Sequence, residues 1–225
     1  MSKVSCIIPA YNEGARIAGV IGAVLGHPLV SEVIAVDDCS TDDTRAEIQK
    51  FPNVKLVVCA HNGGKSHAVV EGIRASHEPY ILMLDGDLTG LTPADVTALI
   101  EPVLSGRADF SISLRGNALR PWLWIGLDYL SGERVFPRSL LEPHLDAIER
   151  LPGFGLESYM NTLLLNNKAR IKVVWWPAVA SPYKARKHGF WKGIAGEMRM
   201  LMNIVETVSL AHTGYQIIAM RRARV

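Results

Sequence analysis

The chain has 225 residues, of which 48% are hydrophobic, enough to bury one sizeable core without disulfides or a structural metal. Its 24 basic and 22 acidic side chains nearly cancel, which argues against a global positive field and so against nucleic acid as the partner. Three cysteines, Cys6, Cys39 and Cys59, form no CxxC pair or even-numbered framework and lie in or beside apolar runs, where cysteine serves as a small hydrophobe.

The start, Met1-Ser2-Lys3, leads into an apolar run with no small-residue cleavage site; it does not read as a signal peptide, and the cytoplasm is the expected compartment. No stretch reaches the ~18 to 20 uninterrupted apolar residues of a membrane span. The apolar tail from Leu201 to Met220 is broken by Asn203, Glu206, His212 and Gly214.

The first strand is predicted at Val4 to Ile8, followed by the turn Pro9-Ala10-Tyr11-Asn12-Glu13-Gly14 and a helix from Ala15 to Leu25. An aromatic ring, an amide and a carboxylate in such a turn suit a nucleobase and ribose; an ordinary strand-to-helix turn uses the same residues. The second strand, Val33 to Val36, runs into Asp37-Asp38-Cys39-Ser40-Thr41-Asp42-Asp43-Thr44 and a helix from Asp42 to Lys50 with Ser40 or Thr41 as cap. Capping accounts for Ser40 through Asp43 better than for Asp37 and Asp38, which directly follow the strand and can accept from a base N–H or a ribose hydroxyl.

The third strand, Val54 to Cys59, leads to His61-Asn62-Gly63-Gly64-Lys65-Ser66 and a helix from Lys65 to Ser76. A phosphate-binding P-loop is excluded, because its first glycine position is Cys59. The fourth strand, Tyr80 to Leu84, ends in Asp85-Gly86-Asp87, and a helix from Pro93 to Leu104 follows behind Thr92. Hard divalent cations such as Mg²⁺ or Mn²⁺ take one or two carboxylates together with substrate phosphates, so Asp85 and Asp87 are candidate metal ligands. Acidic turns after strands are also common without a metal.

A fifth strand is predicted at Asp109 to Leu114, then a Gly-, Pro-, Trp- and Arg-containing stretch through Arg150, a helix from Leu156 to Leu165 and a strand from Ile171 to Trp175. Alternating apolar strands and helices predict an α/β fold, a mostly parallel sheet covered on both faces, with ligands bound outside the carboxyl ends of the strands. No repeat or linker divides the chain, so residues 1–225 form a single domain with a functional division near Arg115 between a nucleotide half and an acceptor half. Phe190, Ile194, Met198, Leu201, Val205 and Val208 recur at helical spacing beside the basic run Lys184-Ala185-Arg186-Lys187-His188 and Trp191. This amphipathic C-terminal helix packs either on the sheet or on an anionic membrane surface.

The ordered set Ile8 to Glu13, Val36 to Thr44, Asn62 to Lys65 and Asp85 to Asp87 resembles the family 2 glycosyltransferases of the GT-A fold. Asp128-Tyr129-Leu130-Ser131-Gly132-Glu133-Arg134-Val135-Phe136 and Gly153 to Glu157 resemble acceptor-side segments of the dolichyl-phosphate mannosyltransferase and polyprenyl-phosphate glycosyltransferase branch. The resemblance implies that Pro9, Tyr11, Glu13, Val36 and Asp38 contact the nucleoside of a nucleoside-diphosphate sugar. It also implies that Asp85 and Asp87 serve donor and metal, with Asp87 the direct ligand, and that Arg115 contacts a phosphate.

The same resemblance implies an inverting displacement at the anomeric carbon, with the cation stabilising the leaving diphosphate. A polyprenyl phosphate acceptor is already anionic and needs cations, for which Arg115, Arg134, Lys184, Arg186 and Lys187 are the candidates. A hydroxyl acceptor needs a base, for which Glu157, Asp128 or Glu133 are the candidates. Glu133 departs from the family pattern, where a neutral residue stands, and many relatives carry transmembrane helices that this chain lacks. The expected enzyme takes lipid phosphate at the cytoplasmic face of a membrane as a peripheral protein. The rivals are transfer to a sugar or polysaccharide hydroxyl, a nucleotidyltransferase, and a nucleotide-binding or membrane-associated module without activity.

Overall fold

The computed structural model describes residues 3–153, 155–181 and 210–225. Four parallel strands begin the chain: β1 (Val4–Ala10), β2 (Val30–Asp37), β3 (Val54–Val58) and β4 (Tyr80–Met83). Helices α1 (Ile17–Val24), α2 (Thr44–Gln49) and α3 (Gly64–Ala75) connect them, and α4 (Pro93–Leu104) leads on to β5 (Phe110–Arg115). The helix α5 (Arg120–Ile125), strand β6 (Arg134–Pro137), two short 3-10 turns, α6 (Leu145–Ile148), α7 (Gly155–Asn166), β7 (Ile171–Trp176) and a C-terminal helix, Leu210–Arg222, complete the described chain.

The strands form one seven-stranded sheet in the order β3-β2-β1-β4-β6-β5-β7. Strand β6 runs antiparallel to both β4 and β5, and β5 pairs in parallel with β7. All seven residues of β1 are buried because its alternating side chains feed two cores. Ile7 packs with Val69, Ile73, Phe136 and Met160 on the α3 and α7 face, while Cys6 and Ile8 pack with Ile17, Ile21 and Leu99 on the α1 and α4 face. Each fully buried Ile or Val of this kind contributes about 1.5–3 kcal/mol relative to exposure.

The strands and helices predicted within the described residues are present with ends shifted by up to three residues. Helix α4 matches because its start is written locally: Thr92 and Asp95 form a reciprocal capping box and Pro93 stands in the first turn. Helix α2 starts two residues later than expected and neither Ser40 nor Thr41 caps it; the Asp42 carboxylate accepts from Thr44 N at 2.9 Å. Strand β6 was not expected, since four residues with a charged first member carry no periodicity of their own. No helix among the described residues is long and apolar enough to cross a membrane. The predicted helix through Phe190 and Val208, with Trp191, lies outside the described residues.

Candidate active site

Strands β1 to β4 run in parallel, so their carboxyl ends share one edge, and antiparallel β6 begins at that edge. The first two loops are stitched together there by side chains. Asn12 N donates to Ser40 Oγ at 3.0 Å, Thr41 N to Asn12 Oδ1 at 2.9 Å, Glu13 N to Thr44 Oγ1 at 2.7 Å and Gly14 N to Asp42 Oδ2 at 3.1 Å. Asp37 accepts from Ser40 N and from Arg45 Nε, both at 2.9 Å. The acidic, hydroxyl-rich run after β2 therefore anchors neighbouring loops more than it caps its own helix.

Within this frame Tyr11 stands 47% exposed, a ring available at the edge. Pro9 and Val36 are register partners in the sheet and both are buried. Val36 packs in the core with Ile7, so a contact from it to a nucleoside falls to its main chain rather than its side chain. The Asp38 carboxylate accepts from Gly63 N at 2.9 Å and Gly64 N at 2.8 Å, which binds the third loop to the second. The Glu13 carboxylate accepts from Arg16; burial raises its pKa, and Asp87 nearby adds to the rise against the pull of Arg16.

The loop after β4 carries the main charge cluster. Lys65, in the first turn of α3, places its ammonium 2.6 Å from Asp85 Oδ1 and 2.8 Å from Glu157 Oε1. Burial would lower the Lys65 pKa, yet the two carboxylates outweigh it and hold the ammonium charged. Burial likewise acts to raise Asp85, but Lys65, Arg115 and Arg134 prevail and keep it below its ordinary value. A Cβ on Gly132 would press on both the Asp85 carboxylate and the Lys65 ammonium, so glycine here lets the approach to β6 lie directly against this pair without displacing it.

Asp87 is differently placed. One oxygen accepts from Ser181 Oγ at 2.5 Å, and the other, Oδ1, is buried with no hydrogen-bond partner among the described residues. Burial, then the charge of Asp85, raises its pKa, the state expected of a carboxylate that lacks a compensating cation. A buried, unpaired carboxylate oxygen next to a second carboxylate is a donor set that fits a hard divalent ion.

The cations and carboxylates expected to face an acceptor separate into two groups. Arg115, at the end of β5, lies 3.4 Å from Glu133 Oε1 and 3.6 Å from Asp128 Oδ2, while its Nε is buried without a partner among the described residues. Glu133 also accepts from Ser113 and Ser131 hydroxyls, each at 2.6 Å; burial raises its pKa against Arg115. Burial raises Asp128 too, with Arg115 opposing.

Arg134 corrects an expectation. It is fully buried and donates through Nε to Ser131 O at 2.7 Å, through Nη2 to Tyr129 O at 2.8 Å and through Nη1 to Asn161 Oδ1 at 2.9 Å. Its guanidinium braces the chain between residues 129 and 134 against α7, with all three nitrogens already donating to the protein. Glu157 stands in the first turn of α7, buried, with Oε2 unpaired among the described residues. Lys184, Arg186 and Lys187 lie outside the described residues. Sequence reasoning missed Lys65 and Ser181; rejecting the P-loop analogy set Lys65 aside, although a lysine opening a helix after Gly-Gly at this edge was itself a signal.

The sequence matches the family model described as Glycosyl transferase family 2 over residues 5–152. It is 33% identical over 178 residues to Glycosyltransferase AglJ of Haloferax volcanii, covering 69% of this chain and 56% of that protein. It is 27% identical over 124 residues to Dodecaprenyl-phosphate galacturonate synthase of Rhizobium johnstonii, covering 51% and 36% respectively. The structure resembles that of glucosyl-3-phosphoglycerate synthase from Mycobacterium tuberculosis in complex with Mn²⁺ and UDP-glucose, with a TM-score of 0.69, 25% identity, and coverage of 92% of this chain and 79% of that one. This likeness bears out the expected GT-A fold. In the sequence comparisons the chain spans 56% of AglJ and 58% of glucosyl-3-phosphoglycerate synthase, little more than half of either relative.

Proposed function

The chain belongs to glycosyl transferase family 2, and on that footing we propose that it is a metal-dependent, inverting glycosyltransferase using a nucleoside-diphosphate sugar. The observation that carries this reading is the unpaired, buried Asp87 Oδ1 beside the Asp85 carboxylate at the carboxyl edge of the sheet. A solved relative of the same fold holds Mn²⁺ and UDP-glucose. When bound, Mg²⁺ or Mn²⁺ supplies Lewis-acid stabilisation to the departing diphosphate.

The protein's own residues do the rest. Asp87, with Asp85 beside it, holds the cation. Tyr11 presents a ring to the nucleobase, and the Asp38 carboxylate holds the Gly63 and Gly64 amides of the third loop. Lys65 holds Asp85 and Glu157 in one constellation, which ties the donor carboxylate to the first turn of α7. Arg115, gripped by Glu133 and Asp128, keeps a cationic group near Asp85 and Asp87 for a phosphate of donor or acceptor.

For the acceptor, we propose a polyprenyl phosphate met at the cytoplasmic face of a membrane. Its support is the likeness of Asp128 to Phe136 to the polyprenyl-phosphate branch, and a relative named for a dodecaprenyl-phosphate product. Glu157 favours a second reading, transfer to a hydroxyl: its Oε2 is buried and unpaired among the described residues, as a base awaiting a proton would be. Labelled nucleotide-sugars supplied with polyprenyl phosphate in vesicles, or with soluble hydroxyl acceptors such as 3-phosphoglycerate, test both. Sugar found on the lipid alone supports the first reading; sugar on the soluble acceptor alone replaces it. Absence of nucleoside diphosphate release from every donor would overturn the enzyme itself.

A further inference from the structure

A second group of ligand-bearing side chains stands apart from the Asp85–Asp87 loop. Asp38 follows β2, Cys59 follows β3 and His67 lies in the first turn of α3. A carboxylate oxygen, the thiol sulfur and a ring nitrogen of these three all lie within 4.8 Å of one another, with Asp38 and Cys59 buried and His67 half-buried.

Each ligand is already oriented. His67 Nδ1 pairs with Glu149 Oε1 at 3.0 Å, and the other Glu149 oxygen accepts from Arg74 at 3.1 Å. With Nδ1 turned to a carboxylate, Nε2 is the ring nitrogen left for a metal, the arrangement that metal-binding histidines use. The two Asp38 oxygens each accept one main-chain N–H, from Gly63 and Gly64, which sets the plane of the carboxylate and leaves each oxygen a further lone pair. A Cβ on Gly63 would collide with the His67 ring, so the loop leaves room for the imidazole in this place. The His61 ring stacks on His67 with centroids 5.3 Å apart and closes one side.

The donor types decide the class of ion. A thiolate, an imidazole and a carboxylate form a mixed soft and borderline set that selects Zn²⁺-like ions, whereas Mg²⁺ and Mn²⁺ prefer oxygen alone. We propose that Asp38, Cys59 and His67 bind a divalent cation of the Zn²⁺ class, separate from the hard-cation site at Asp87. The thiolate and carboxylate balance the two charges of the ion, and three protein ligands leave a fourth position for water. Burial and the Asp38 charge push the Cys59 thiol up to about 11, so the ion displaces the thiol proton, which leaves to solvent as the S–metal bond forms. An ion here would engage Asp38 and compete with a nucleoside for it; that consequence rests on the function proposed above, whereas binding of the ion does not.

Co²⁺ is the probe, added to the full chain stripped of metal and followed by visible and near-ultraviolet absorption. One equivalent is expected to produce a sulfur-to-metal charge-transfer band with tetrahedral d–d bands, all displaced by Zn²⁺. The bands should persist in Asp87→Asn, vanish in Cys59→Ser and give at least about 10-fold weaker binding in His67→Gln. Glu149→Gln, which leaves all three ligands in place, should weaken Zn²⁺ binding by about 10- to 100-fold. Circular dichroism identifies any variant that fails to fold, and His67→Gln and Glu149→Gln then carry the test. No sulfur band in the wild type, an unchanged band in Cys59→Ser, or undiminished affinity in both His67→Gln and Glu149→Gln would overturn the site.

Discussion

Replacing Arg134 separates a bracing role from an acceptor-binding one. The guanidinium satisfies Ser131 O, Tyr129 O and Asn161 Oδ1 from a fully buried position. Lysine offers one ammonium where arginine offers a planar fork, so it cannot reach all three acceptors at once. Each buried acceptor left unpaired costs about 1–3 kcal/mol, and removing one member of a buried charged network about 3–5 kcal/mol. Some acceptors will recover water or relax, so Arg134→Lys is expected to lose about 2–4 kcal/mol and Arg134→Met about 3–5 kcal/mol. For a chain of this size each kcal/mol lowers Tm by about 2–4 °C, so Arg134→Met should melt roughly 6–20 °C early. Urea unfolding followed by circular dichroism and tryptophan fluorescence, Trp176 being fully buried, gives the free energies at a common m-value. If Arg134→Lys kept its stability within about 1 kcal/mol but lost transfer 100-fold or more, the bracing role would be refuted and the guanidinium returned to the acceptor.

Asp87→Asn should lower turnover by at least about 100-fold while changing stability by less than about 1 kcal/mol, because the carboxylate it removes is destabilised by burial. The thermal shift that Mn²⁺ with UDP gives the wild type should be lost with it, and a retained shift would move the metal elsewhere. Glu157→Gln tells the two acceptors apart: a base for a hydroxyl is worth about 10²–10⁴ in rate, whereas a phosphate acceptor should lose less than about 10-fold. Gly132→Ala forces Asp85 and Lys65 apart and should cost about 1–3 kcal/mol by chemical unfolding together with most of the activity. Asp37, which burial would raise, is held below its ordinary pKa by Ser40 and Arg45. Its contribution is therefore complete above the unfolded value near ~3.9 and lost as pH falls through the folded one, so Asp37→Asn should destabilise at pH 7 and converge on wild type only as the pH falls below that lowered value.

Much of the chain up to Arg115 could be read directly from the sequence, for a physical reason. In β1, β2 and β4 the strands are largely buried, mostly apolar runs, β3 at the sheet edge is half-exposed yet still mostly apolar, and each loop at a carboxyl end is free to be polar. Pattern and motif therefore coincide, and Asp38, Asp85, Asp87 and Tyr11 were found where the strands stop. Helix α4 was equally plain because a capping box and a proline are local signals. The part after Arg115 differs because its side-chain arrangement depends on pairings between distant segments. Antiparallel β6 enters between β4 and β5 and brings Gly132 against Asp85, a contact that no spacing along the chain encodes. Lys65 meets Glu157 across 92 positions, and Arg134 reads as a free cation until burial and three acceptors show it bracing the fold. Residue type sets what a side chain can do; whether its charge faces a ligand, a partner or the core is set by burial and by what the fold packs around it.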